Sequence, residues 1–87
     1  MSATILATPR PVKAWHHNGT IQLSLADGRH VIFPVAENGR LARGTPEQLE
    51  AIRLSPFGIH WEALDEDLSI EGLLRGDWGQ HVGRPKP

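Results

Sequence analysis

Residues 55–76, SPFGIHWEALDEDLSIEGLLRG, decide how this chain is read. Phe57–Trp61 reads as a strand, with Phe57, Ile59 and Trp61 on one face and His60 on the other, because strand side chains alternate. The run feeds an acidic elbow of Glu62, Asp65, Glu66 and Asp67, and the elbow opens into a helix. Ser69 has the chemistry of an N-cap, its hydroxyl able to accept from a backbone N–H of the first turn. Leu68 and Leu73 have the spacing of a hydrophobic staple, Ile70, Leu73 and Leu74 supply an apolar face, and Gly76 falls at the C′ position. With Glu71, this stretch carries five of the ten carboxylates in the chain.

Upstream, the registers of three strands follow from two turns. Asn18-Gly19 joins two strand-like runs, and Asn and Gly both tolerate the positive φ of a type I′ turn. A two-residue loop there pairs His17 with Thr20, Trp15 with Gln22 and Lys13 with Ser24. One face then holds Val12, Ala14, His16, Ile21, Leu23 and Leu25. The second turn, Ala26-Asp27-Gly28, fits three residues better than two. With Gly28 in the left-handed region as a G1 bulge, Leu23 meets Val31 and Ile21 meets Phe33, so all three strands share one apolar face. A two-residue Asp-Gly loop would turn Val31 and Phe33 away from it.

The same registers place Trp15, Gln22 and Ile32 in one row on the opposite face, beside Lys13, Ser24 and His30. A Trp and an Ile there form an apolar patch that needs a cover, from within the chain or from a partner chain.

Pro34 ends the third strand, and Glu37-Asn38-Gly39 is a turn signal. Thr45-Pro46-Glu47-Gln48 has the pattern of a capping box with proline at the first helical position. Leu49 and Ile52 make its apolar stripe, and Ser55-Pro56 stops the helix after about two and a half turns at 3.6 residues per turn. The expected architecture is α+β: a three-stranded antiparallel meander and a fourth short strand, packed with two short helices. Residues 1–76 form its single domain, and 77–87, rich in Pro and Gly at the end, read as a mobile tail.

Composition narrows the function classes. The 87 residues include no cysteine, which excludes disulfides and thiolate chemistry and fits a reducing cytoplasm. No long apolar run marks a secretory signal or a membrane helix. Net charge is −1, which argues against sequence-independent nucleic-acid binding. The charge is uneven, however: residues 1–44 carry five basic and two acidic side chains, while 45–76 carry two basic and seven acidic. An acidic half of this kind suits a basic partner.

Candidate chemistry is sparse. Asp65 and Asp67, with His60 or His30, could be read as a metal site or an acid/base pair. Carboxylates before a helix are also what capping and the helix dipole ask for, and no H-x-x-x-H, H-E-x-x-H or EF-hand spacing is present. His16 and His17 alternate to opposite faces and cannot share an ion. No nucleophile elbow and no glycine-rich phosphate loop exists. Trp15 with Lys13 and His17 is one aromatic beside basic groups, too few for a base-stacking sheet. The reading is non-enzymatic, with no catalytic residue, metal or cofactor expected.

The run I-H-W-x-x-L-D-E-D-L-S-x-x-G-L-L (Ile59 to Leu74), behind TPEQLEAIRLS and the Asp27-Gly28 hairpin, resembles the domain of unknown function 2442 family. The similarity covers roughly Val12–Gly76. It implies a small bacterial α+β domain without established catalytic residues, some members being fused to a helix-turn-helix domain or encoded beside a small partner in a toxin–antitoxin-like arrangement. This chain shows no helix-turn-helix pattern. The expected function is therefore a protein-interaction module, antitoxin-like, whose acidic half meets a small basic partner. Alternatives are a homo-oligomeric ligand-binding or regulatory module working through the outer sheet face, and a metal-dependent enzyme using the elbow. Contact residues on this reading are Trp15, Ile32, Glu62, Asp65 and Glu66, while Gly28, Asp67 and Ser69 serve the fold, Asp67 by adding charge near the helix N-terminus.

Overall fold

The computed structural model describes residues 8–79. β1 (Pro11–His17), β2 (Thr20–Leu25) and β3 (His30–Pro34) form one antiparallel sheet in the order β1-β2-β3. A 3₁₀ turn (Val35–Glu37), α1 (Gly39–Ala42) and α2 (Pro46–Glu50) lead to a second antiparallel sheet of β4 (Arg53–Leu54), β5 (Gly58–Trp61) and β6 (Glu66–Ser69), and α3 (Ile70–Leu74) follows. The fold is α+β, as the pattern implies, but with two three-stranded sheets and three short α-helices.

The first sheet has the expected registers. Trp15 pairs with Gln22 and His17 with Thr20, and Leu23 pairs with Val31 and Ile21 with Phe33. At the second turn the Gly28 N–H donates to the Leu25 carbonyl at 3.0 Å, the Leu25 N–H donates to the Arg29 carbonyl at 2.9 Å, and Gly28 sits at φ +94°. That conformation is open to glycine and strained for a residue with a Cβ.

One residue of this sheet departs from the pattern. Alternation places Val12 on the core face, yet it is 60% exposed. The register shifts between Pro11 and Lys13, so that Pro11 rather than Val12 lies opposite Leu25. Val12 is the extra residue of a bulge and points out, while Pro11 is buried in its place. Pro11 is itself the signal, since proline within strands is confined to edges and bulges.

The second sheet corrects the sequence reading more heavily. Thr45 does form the capping box with Gln48, but α2 ends at Ala51. Ser55-Pro56 does not stop a long helix. It turns a hairpin: the Ser55 N–H donates to the Gly58 carbonyl at 3.0 Å, and the Ser55 hydroxyl accepts from the Gly58 N–H at 3.1 Å. This hairpin pairs Arg53 with His60 and Leu54 with Ile59, creating β4. Phe57, placed on the core face by alternation, lies at the hairpin tip and is 77% exposed. The acidic elbow also contains a strand, β6, which pairs Leu68 with Ile59 and Asp67 with His60. Asp67 is therefore a cross-strand neighbour of His60, two residues ahead of the Ser69 cap and outside the first helical turn.

α3 begins and ends as expected. Ser69 Oγ accepts from the Gly72 N–H at 2.9 Å, and Leu68 and Leu73 are both buried. At the other end the Gly76 N–H reaches the Leu73 carbonyl at 3.1 Å, and the Asp77 N–H reaches that of Gly72 at 2.8 Å, with Gly76 at φ +85°. These two bonds are a Schellman cap.

The core joins the inner face of the first sheet (Ile21, Leu23, Leu25, Val31, Phe33) to Leu41, Leu49, Ile59, Trp61, Leu68, Ile70 and Leu73. Trp61 is fully buried, and its indole N–H donates to the Leu49 carbonyl at 3.1 Å. Trp78 stacks on Phe33 with centroids 5.9 Å apart, so the packed chain runs beyond the boundary expected at Gly76, at least to Gly79. The rest of the tail, 80–87, lies outside the described residues.

Candidate interaction surfaces

Two surfaces collect the residues singled out by the sequence. The first is the outer face of the β1-β2-β3 sheet. Antiparallel pairing brings Trp15, Gln22 and Ile32 into one row across it. Ile32 is 57% exposed, and Trp15 is half-buried under its neighbours, with Lys13 Nζ 5.2 Å from the ring centroid. That distance is a cation–π contact. The positions sharing this face on the three strands, Lys13, Trp15, His17, Thr20, Gln22, Ser24, His30, Ile32 and Pro34, include one permanently charged side chain and no carboxylate.

The second surface is the acidic elbow, and here the fold supplies what the sequence hid. Glu62 Oε1 accepts from Arg53 Nη1 at 2.9 Å. Asp65 Oδ2 lies 3.6 Å from Arg40 Nη1, and the same guanidinium donates to the Asp65 carbonyl. Asp65 closes the turn in the left-handed region at φ +54°, where Asp is one of the better tolerated residues. Asp67 Oδ1 lies 3.1 Å from His60 Nδ1. The elbow carboxylates thus have partners within the chain, brought from positions 9 and 25 residues away in two cases.

Glu66 is tied most deeply. Its Oε2 accepts from Asn38 Nδ2 at 2.7 Å. Asn38 is 1% exposed and makes every hydrogen bond its amide allows. Its Oδ1 accepts from the N–H groups of Arg40 and Leu41, both at 3.0 Å, capping α1, while Nδ2 also donates to the Trp78 carbonyl at 3.0 Å. One side chain thereby fastens α1, β6 and the segment after α3. In the sequence, Asn38 reads only as a turn residue. The available signal was an N-cap type three residues ahead of the buried Leu41.

Beside this hub, β6 and the end of α3 border an open cleft of about 460 Å³ lined by Phe57, Glu66, Asp67 and Asp77 among others. Of the two histidines only His60 meets this cluster, at Asp67, while Asp65 is held by Arg40 and His30 stands in the first sheet. Among the described residues no group of three His, Asp or Glu side chains is placed to hold a metal ion. No helix among them is long and apolar enough to cross a membrane.

The described residues form a two-sheet α+β domain with an outward apolar row on one sheet and internally partnered carboxylates on the elbow. The chain belongs to the family described as protein of unknown function DUF2442, whose model matches residues 11–79. Its structure is similar to the crystal structure of a protein of unknown function from Rhodospirillum rubrum, with 30% identity, a TM-score of 0.77, and coverage of 91% of this chain and 100% of that one. It is also similar to the solution structure of an uncharacterised protein from Chromobacterium violaceum, with 32% identity, a TM-score of 0.70, and coverage of 87% and 72%. No curated protein matches the chain.

Proposed function

We propose that this chain is a non-enzymatic protein-interaction module, the antitoxin-like member of a bacterial two-protein system, acting in the cytoplasm. The observation that supports it best is the Trp15–Gln22–Ile32 row. Register alone sends these residues away from the core, and Ile32 stays 57% exposed. Apolar area turned outward on a rigid sheet is the form a protein contact takes, with Trp as the residue type most enriched at contact centres. The elbow is the weaker half of the surface, since Glu62, Asp65 and Glu66 already hold Arg53, Arg40 and Asn38.

A basic partner has a second place to meet the chain. The cleft bordered by Glu66, Asp67 and Asp77 has Phe57, 77% exposed, at its rim. An acidic cleft with an aromatic edge suits a Lys- or Arg-bearing segment. The test is co-expression of the full chain with the product of the adjacent gene. Stoichiometric co-purification, lost in Ile32→Lys and kept in Phe57→Ser, is the result expected of the sheet face. The reverse pattern assigns the contact to the cleft, and no co-purification of the pair refutes the two-protein reading.

A further inference from the structure

The strand edges of the two sheets are protected unequally. Natural sheets guard free edges with charged side chains, with proline, or by keeping the strand very short. β4 is two residues long and carries Arg53, and β6 carries Glu66 and Asp67. Of the two edges of the first sheet, β1 carries Pro11, Lys13 and a bulge, while β3 has the sequence HVIFP, with no Lys, Arg, Asp or Glu and one proline at its far end.

The direction of its backbone groups follows from the ladder. The Leu25 N–H donates to the Arg29 carbonyl and the Val35 N–H to the Gly19 carbonyl, both at 2.9 Å. In an antiparallel pair such bonds recur at every second residue. Residues 29, 31, 33 and 35 therefore address β2, while the N–H and carbonyl groups of His30 and Ile32 and the carbonyl of Pro34 point away from the sheet. Among the described residues nothing pairs with that edge.

We infer that β3 is a self-association edge that pairs antiparallel with β3 of a second copy of this chain, Ile32 lying opposite Ile32 about the two-fold axis. The register follows from the side chains. With Ile32 on the axis, the two Ile32 backbones exchange two hydrogen bonds, and each His30 N–H donates to the Pro34 carbonyl of the other copy. Pro34 has no N–H to contribute, which costs one bond at each end and limits the ladder to four. A slip that sets His30 against Ile32 also makes four bonds but removes the Ile–Ile contact, and the apolar pattern selects the first register.

The product is a continuous six-stranded sheet on whose outer face the two Trp15–Gln22–Ile32 rows join end to end through the Ile32 pair. Five paired residues per copy put the contact at the small, transient end of protein interfaces, below about 1,200 Å². The inference goes beyond the preceding reading and holds whether or not a second protein binds.

The chain contains no cysteine, which makes the register directly testable. Three single variants, Ile32→Cys, His30→Cys and Ala42→Cys, are oxidised in a glutathione buffer over a range of protein concentrations. All three sites are exposed, so the fold is retained, and circular dichroism checks it. Cα atoms of a hydrogen-bonded antiparallel pair lie about 5.5 Å apart, within disulfide reach. Ile32→Cys is expected to form a covalent dimer in a yield that rises with concentration, while His30→Cys and the α1 control Ala42→Cys stay largely monomeric. The wild-type chain, in sedimentation, is expected to show a mass that increases with concentration, an increase abolished by Ile32→Lys. Equal yields at all three sites, a dimer trapped at residue 30 instead of 32, or a wild-type mass that stays monomeric at every concentration would each overturn the inference.

Discussion

The two sheets spend their outward-facing residues differently. In the second sheet and its elbow, exposed carboxylates are bound back into the molecule, Glu62 to Arg53, Asp65 to Arg40, Asp67 to His60 and Glu66 to the buried Asn38. In the first sheet, Ile32 and Val12 face outward with 57% and 60% of their surface exposed. A cluster of charge in the sequence marks a surface only until the fold supplies its counter-charges. An apolar residue held outward by strand register has no such remedy inside the same sheet. The first sheet thus turns its apolar residues outward from register-fixed strands, whereas in the second the outward apolar residues, Leu54 and Phe57, lie at the hairpin and the charges are held within the fold.

The comparison breaks most visibly at Asn38. Asn38→Ala removes four hydrogen bonds from a buried position and is expected to cost about 2–3 kcal/mol, the combined effect of a lost cap and of donors and acceptors left unpaired. Urea unfolding measures it. Asn38→Asp restores the acceptor for the α1 cap but places a carboxylate against Glu66 Oε2, so it recovers only part of the loss. A cost near zero for Asn38→Ala would mean that the second region is not held as described.

Gly28→Val tests the first sheet in the same units. A β-branched residue at φ +94° is expected to destabilise by about 1–2 kcal/mol, without altering partner binding, since the turn lies at the end of the sheet away from Trp15. A smaller effect follows from the elbow charges. Glu62→Gln with Asp65→Asn is expected to lower stability by less than about 1 kcal/mol, the usual range for exposed ion pairs, and the difference should shrink further at high salt. Ile32→Thr should change stability by no more than about 0.5 kcal/mol, because it alters an exposed side chain and keeps a strand-forming residue. If Ile32→Thr proved as costly as Gly28→Val, the outer row would be structural and the contrast between the sheets would fail.

The smallest expected effect concerns acid. The Arg29 backbone N–H at 3.0 Å and its guanidinium at 2.7 Å hold the Asp27 carboxyl below its ordinary range. A carboxyl whose pKa is depressed on folding stabilises the fold above the unfolded-state pKa, and this is lost as pH falls through the folded value. The contribution is therefore present at neutral pH and disappears only below about pH 4, where free Asp titrates. Asp27→Asn should slightly flatten the acid limb of a Tm-against-pH curve and leave Tm differences between pH 6 and 8 unchanged.

How much was legible in the sequence follows the same division. In the first sheet local signals carried the fold: Asn18-Gly19 and Asp27-Gly28 set the turns, and the Ile21, Leu23, Val31 and Phe33 alternation chose between registers. The outer row of Trp15 and Ile32 came with them. Only the Val12 bulge escaped, although Pro11 marked it. In the second sheet the strands have two to four residues, too few for a period to show, and β4 and β6 exist through pairing with β5 rather than through propensity. Arg53, Leu54 and Ile52 therefore read as the continuation of α2, and Glu66–Ser69 as an approach to α3. The caps were different. Thr45, Ser69 and Gly76 act within a few residues of themselves and are readable, as is the local cap that Asn38 gives α1, whereas the bonds of Asn38 to Glu66 and Trp78, and those of Arg40 and Arg53, act at a distance and are not.

The central claim is that partner binding resides on the outer face of the first sheet and not on the elbow charges. Isothermal titration of the adjacent-gene product into three full-length chains tests it: wild type, Ile32→Lys, and the Glu62→Gln/Asp65→Asn double variant. The expected result is that Ile32→Lys weakens binding by about tenfold or more, a loss of roughly 1.4 kcal/mol or greater, while the double variant binds within about threefold of wild type. Binding unaffected by Ile32→Lys but lost in the double variant would contradict the account, and would return the interaction surface to the acidic elbow.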